Sequence, residues 1–341
     1  MKRFSFCIVI GVLLSCFVDI SLADRIIMLE GKGRPVTGSI ILITQEKVTV
    51  DVKGEKQEIP ANIIASTTFD NEPSQLATAR NAVLNSRMQE AIDALAKLDP
   101  NTLTKDGMKQ DYAYFLAYAK TKLVLASGGD ATDAEKELLE FIKNHKTSYH
   151  YFDICEVYGD LMVQQGRFED AKKSYAALAK APWPEYSLKA TVSLGMAEVY
   201  EKKADAARKN FETVIATTDD SPQTERQKSV AKIGLALCLV VEQKYDESIK
   251  ALEAIARESG SEDSSFQALV YNSLGSAYDR SDKPRDAVLA YMHTDILFSA
   301  ARSEHIRALT ELARLWKKIQ RNDRAEDVAS RLKELYNITA K

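Results

Sequence analysis

Four cysteines and four histidines are the residues whose chemistry could be nucleophilic or metal-binding. Cys7 and Cys16 lie in the apolar N-terminal stretch, so only Cys155 and Cys238 remain further along. Each sits in an apolar helical pattern with no histidine beside it to draw off a proton, so each is expected to pack as a small hydrophobe. Export would permit a disulfide between them. His145, His150, His293 and His305 show no HExxH, no Cys-x-x-Cys and no carboxylate-rich ligand spacing, which leaves a metal site without support. There is no GxSxG, no P-loop, and no GxGxxG opening a helix after a strand. Gly31-x-Gly33 lies between strand-like runs and reads as a turn. The chain therefore offers no anchor for catalysis and no cofactor site, and it is read as a non-enzyme.

The elements that could carry another function are long helices. In 341 residues there are only 14 Gly and 8 Pro, too few for a turn-rich fold. Hydrophobic residues make up 45% and charged residues 28%, which excludes a disordered chain and a polytopic membrane protein. With 46 basic against 49 acidic residues there is no cationic excess to follow a phosphate backbone, so nucleic acid is not an expected partner.

The first 23 residues read as a secretory signal. Lys2 and Arg3 supply the positive start, Phe4 to Val18 is apolar, and Ser21-Leu22-Ala23 is a small-x-small cleavage site. The mature chain is then expected to begin at Asp24 and to reside in the periplasm or cell envelope. Leu13-Leu14-Ser15-Cys16 is the rival, a lipobox, and only lipidation of Cys16 would bring the chain to a membrane. An uncleaved anchor is the third reading.

Residues 24–71 have the texture of short strands. Arg25–Leu29, Ser39–Thr44, Val48–Val52, Gln57–Ile59 and Ala65–Phe69 are separated by tight turns. Val48 to Val52 alternates, with one face buried and one wet. Five such strands suggest a small SH3-like or Sm-like barrel, too small for a comfortable core of its own. It is expected to pack on the helices that follow, either as a cap on their first repeat or as a second binding module.

From residue 72 to 341 a helical pattern recurs. Gly159 is followed by Ala171 at +12 and Tyr175 at +16, Gly195 by Ala207 and Phe211, and Gly275 by Ala287 and Tyr291. Ala79, Ala236 and Ala313 head weaker copies, and the copy at Ala117 carries an insertion, Ser127-Gly128-Gly129-Asp130. A small residue in the first helix of a hairpin lets the second approach, the small residue at +12 faces it, and the large residue at +16 fills the gap toward the next hairpin. One hairpin cannot bury both of its faces, so hairpins stack. This pattern resembles the tetratricopeptide repeat (TPR) family. The resemblance implies a mainly α chain: a TPR-like α-solenoid of about seven helical hairpins after the small β domain. The markers from Gly159 onward are 36 to 41 residues apart, longer than the ~34 of the family. The signal, Phe69-Asp70-Asn71-Glu72-Pro73, Ser148-Tyr149-His150-Tyr151-Phe152 and Ala181-Pro182-Trp183-Pro184 also resemble secreted TPR proteins of planctomycete-like bacteria. That likeness implies export and fold, and no activity.

Positions −6, −3, +1, +4 and +5 from each marker are expected to face the concave side. They give Tyr114 and Tyr118, then Asp153, Glu156 and Asp160, then an apolar stretch with Leu237 and Val241, then Arg307, Arg314 and Lys317. The surface would run from acidic to basic and hold a protein or peptide segment. Against this, Leu237 to Val241 could be buried between repeats and the charges could be a solvated face. Asn272 stands near a carboxylate-clamp position, but the cations a clamp needs are absent before it. Trp183 is expected to plug a junction between repeats. The reading is an exported TPR scaffold binding protein or peptide partners in the envelope. The alternative is a structural component that self-associates through its repeat ends.

Overall fold

A computed structural model describes residues 23–260 and 263–339. The apolar leader, with Cys7 and Cys16, lies outside the described residues. Five antiparallel strands come first: β1 (Asp24–Met28), β2 (Val36–Ile43), β3 (Lys47–Val52), β4 (Glu55–Pro60) and β5 (Ile64–Thr68). They form one sheet in the order β4-β3-β2-β1-β5, with a single 3-10 turn, Ala61–Ile63, between β4 and β5. Ile26, Val48, Val50 and Ile59 make its core. Thr49 is buried too, so the wet face expected of β3 is covered at its centre. The free edge of β4 carries Glu55, Lys56 and Glu58, charges that discourage pairing with another chain.

Seven helical hairpins follow among the described residues. They are α1 (Ser74–Leu84) with α2 (Met88–Leu95), α3 (Asp106–Ser127) with α4 (Thr132–Asn144), α5 (Tyr151–Gln164) with α6 (Phe168–Leu178), and α7 (Pro184–Tyr200) with α8 (Ala204–Ile215). Then come α9 (Pro222–Val241) with α10 (Tyr245–Glu258), α11 (Ser264–Arg280) with α12 (Pro284–Leu297), and α13 (Arg302–Lys318) with α14 (Asn322–Tyr336). The marker register holds. Ala171, Ala207 and Ala287 are fully buried where the two helices of a hairpin meet. At the corresponding place in α10, Ser248 donates its hydroxyl to the Ala236 carbonyl at 2.7 Å. A Cβ on Gly275 would stand 2.6 Å from the Tyr291 ring, and one on Gly195 would stand 2.7 Å from Phe211. The large residue at +16 therefore lies on the marker glycine of its own hairpin. Phe211 does both jobs, since it also lies against Gly234 of the next hairpin.

The turns repeat as well. Ser86, Gly166, Lys202, Gln243, Asp282 and Gln320 each stand seven residues after a marker, and all six are left-handed. Only Gly166 has the residue type that adopts this conformation without cost, so the turns were not visible as glycines. The next residue in each, from Arg87 and Arg167 to Arg321, is basic and precedes the second helix.

Two features depart from a simple stack. The sheet does not close the free end of the first hairpin. Its side chains reach the starts of three inner helices: Asp24 pairs with Lys105 before α3 at 2.5 Å, the Thr67 and Tyr149 hydroxyls share a hydrogen bond before α5 at 3.1 Å, and Asn62 donates to Glu185 of α7 at 2.8 Å. Tyr149 and Trp183 join the core of the sheet, and Trp183 also meets Phe152 and Tyr186. Trp183 thus sits at a junction, but one shared with the sheet. The second departure is at the other end. α13 returns to α3, and Leu123 and Ala126 pack on the cluster of Ile306, Leu309 and Leu312. The solenoid bends until its last hairpin touches its second, so the first helices of the hairpins line an interior.

Candidate functional site

The interior is built from the inner helices α3, α5, α7 and α13. On α5, Asp153, Glu156 and Asp160 fall at i, i+3 and i+7, which places them on one helix face. Glu156 pairs with Lys189 of α7 at 2.5 Å. Tyr175 donates its hydroxyl to Asp160 at 2.8 Å. Loss of solvation among these helices, and then the charge of Glu156, push the Asp160 carboxyl up to about 6. Asp153 is raised for the same reasons, desolvation first, although Lys189 pulls the other way. A raised carboxyl means that the folded chain holds that proton more tightly than the unfolded chain. Charging Asp160 therefore costs stability, and the cost is relieved as pH falls from about 6 toward the ordinary carboxylate value of 3.8.

α3 adds Tyr114, Tyr118 and Lys122. Tyr114 is buried and stacked on His150 at 3.6 Å between ring centres, and it touches Tyr118 at 5.3 Å. Burial resists the charge on Lys122, yet Tyr118, Asp160, Glu156 and Glu304 of α13 together raise its pKa. Glu304 is 4.0 Å from Arg307 and accepts from Asn272, at 2.7 Å through its carboxylate and 3.0 Å through its carbonyl. The Asn272 amide is thus engaged within the chain. Arg307 lies within electrostatic reach of Tyr200 on α7, across the interior.

Of the residues expected to form a groove, Tyr114, Tyr118, Asp153, Glu156, Asp160 and Arg307 come together. Leu237 and Val241 are half-buried on α9, and Leu237 belongs to a core between hairpins. Their neighbours Ile233 and Val240 are buried, so the apolar centre of the groove is largely repeat packing. Arg314 corrects the expected basic end. It pairs with Asp279 of α11 at 2.6 Å and with Glu311 at 2.7 Å, and Lys318 joins Asp279 at 2.9 Å, so their charge is spent between hairpins. Lys317 is exposed. The reading of residues missed Lys122, Lys189 and Tyr200. Lys122 and Tyr200 stand at +5 and Lys189 at −6, offsets already assigned to the concave side but not applied to those hairpins.

Two buried histidine–carboxylate pairs went unforeseen. His150 Nε2 lies 3.1 Å from Asp111, which also receives Thr67 and faces Arg80 at 3.9 Å. Arg80 in turn pairs with Glu72. His305 Nε2 lies 2.8 Å from Asp295, which receives Arg331 in two bonds. Burial would raise the Asp295 carboxyl, but His305 and Arg331 outweigh it and hold it at about 2. The first pair ties the sheet and α1 to α3 and the start of α5, and the second ties α12 to α13 and α14. Cys155 and Cys238 are free and buried in separate clusters, and burial pushes both thiols up to about 11. Among the described residues no group of His, Cys, Asp and Glu could hold a metal ion.

Residues 179–312 match the model of a tetratricopeptide repeat-like domain. The chain carries a TPR-like solenoid. The match spans α7 to α12 and most of α13, and it includes the markers Gly195, Ala236 and Gly275. Among solved structures, a tetratricopeptide repeat protein from Parabacteroides merdae is 14% identical over 76% of this chain and 91% of its own, at a TM-score of 0.44. A Rap protein complexed with Competence and Sporulation Factor is 12% identical over 76% and 75%, at 0.48. NprR in complex with its cognate peptide NprX is 17% identical over 77% and 77%, at 0.41. No curated protein matches the chain.

Proposed function

We propose that this chain is an exported, non-enzymatic TPR scaffold that takes a protein or peptide segment on the inner face of its helical ring. The observation that carries this is the cluster on α3, α5, α7 and α13. It brings carboxylates, cations and tyrosines together on one partly buried surface, where Glu156 pairs with Lys189 at 2.5 Å and Glu304 lies 4.0 Å from Arg307. Because α13 meets α3, the interior admits a narrow segment, a tail or a loop, better than a folded domain. The self-assembly reading has less support, since part of the last hairpin is already spent on α3. If Tyr118 and Arg307 contact the segment, Tyr118→Ser with Arg307→Gln should weaken capture of the envelope partner at least tenfold without lowering the melting temperature by more than a few degrees. Unchanged affinity would remove the inner face as the working surface.

Export is supported by the leader and by the start of the sheet. β1 opens at Asp24, whose carboxylate accepts from the Ile40 and Asp70 amides at 3.0 and 2.8 Å. A chain beginning at Asp24 keeps every strand. Among the described residues no helix is long and apolar enough to cross a membrane. N-terminal sequencing from envelope fractions should read Asp24-Arg25-Ile26. A blocked chain bearing lipid on Cys16 would replace this reading with a lipoprotein.

A further inference from the structure

The geometry points to a binding site for a small organic carboxylate in the seam where the ring closes. The start of α2, the end of α3, the start of α13 and the end of α14 enclose a cavity of about 260 Å³. The first, second and last hairpins meet there. Three cations line it, and Arg87 is paired with Glu90 at 2.8 Å, which leaves Lys122 of α3 and Arg302 of α13. Among the described residues neither has a carboxylate within ion-pair distance. The Arg302 guanidinium sits over the Tyr336 ring at 5.1 Å, and its Nε is buried without a hydrogen-bond acceptor. A buried donor left unpaired is costly, and native structures rarely leave one.

The acidic groups of the wall form no ion pair with these cations, although the field of Asp160, Glu156 and Glu304 reaches Lys122 from the inner face. Glu90 is exposed and pairs with Arg87 at 2.8 Å, and Glu334 is exposed on the rim. Between the two cations the wall is apolar, made by Leu123, Ala126 and Ile306. An oxyanion between Lys122 and Arg302 would gain charge-assisted hydrogen bonds, and a short apolar stem would rest on Leu123, Ala126 and Ile306. The volume limits the ligand to a small carboxylic acid or the last residues of a peptide. Either would tie three hairpins together and stabilise the closed ring. This site is separate from the inner-face cluster apart from Lys122, and its test needs no protein partner.

The test is calorimetric titration of the full mature chain with sodium hexanoate, N-acetyl-Ala-Leu and inorganic phosphate at constant ionic strength. The expected result is saturable binding of at least one carboxylate, weakened tenfold or more by Lys122→Gln and by Arg302→Gln. Tighter binding of hexanoate would identify a free acid, and tighter binding of the dipeptide a chain terminus. Ala126→Leu keeps both cations and narrows the cavity, so it should also weaken the carboxylate, with circular dichroism checking that each variant is folded. The assignment is overturned if neither carboxylate saturates, if phosphate alone binds, or if folded variants bind as the wild type does.

Discussion

Phe211→Ala should destabilise the chain by about 3–5 kcal/mol, near the top of the range for a single core truncation. Phe211 is fully buried, and its ring fills the space between Gly195 of its own hairpin and Gly234 of the next. Glycines have no side chain to move into the void, so the site cannot collapse and the cavity persists. Solenoid coupling runs between neighbours, so hydrogen exchange should quicken first in α7 to α10 and least in α1 and α2. Urea unfolding checks the magnitude. A loss below about 1.5 kcal/mol would mean that the hairpins are held by something other than this aromatic-on-glycine contact.

Asp111→Ala should cost a comparable amount, about 3–5 kcal/mol, because removing one partner leaves others buried without one. Asp111 has no solvent exposure. It collects Thr67 from the sheet, His150 and Tyr149 from the start of the third hairpin, and the field of Arg80 from the first. Its loss therefore unties the sheet from three hairpins at once. Limited proteolysis should cut the variant in Asp70 to Pro73 while the wild type resists. Asp111→Asn retains part of the hydrogen bonding and should cost less. A variant that melts like the wild type, with an uncut linker, would show that apolar packing alone holds the sheet.

Much of this architecture was legible in the residues. Gly159, Gly195 and Gly275 with their partners at +12 and +16 announced hairpins, because close helix contact admits only small residues and leaves one kind of place for a ring. The five strands were legible from β-branched runs and turn clusters. The path of the ring was not. Contact of Leu123 and Ala126 with Ile306 joins residues about 180 positions apart, and no local period encodes the curvature that brings them together. The turns were hidden because Lys202, Gln243, Asp282 and Gln320 adopt a left-handed backbone that glycine usually signals. At the candidate site, Asp153, Glu156 and Asp160 were legible from helix spacing alone. The neutralisation of Arg314 was not, since Asp279 lies on a different hairpin and meets it only through stacking.

The most direct measurement places a photo-crosslinking residue at Tyr118 or Glu156 on the inner face, and at Leu289, which is 57% exposed on the outer helix α12. The mature protein is then irradiated in intact envelopes and the adducts are mapped by mass spectrometry. The account predicts that Tyr118 and Glu156 trap one and the same partner segment and that Leu289 does not. Adducts at Leu289 with none at Tyr118 or Glu156 would contradict it, because the outer face would then be the working surface.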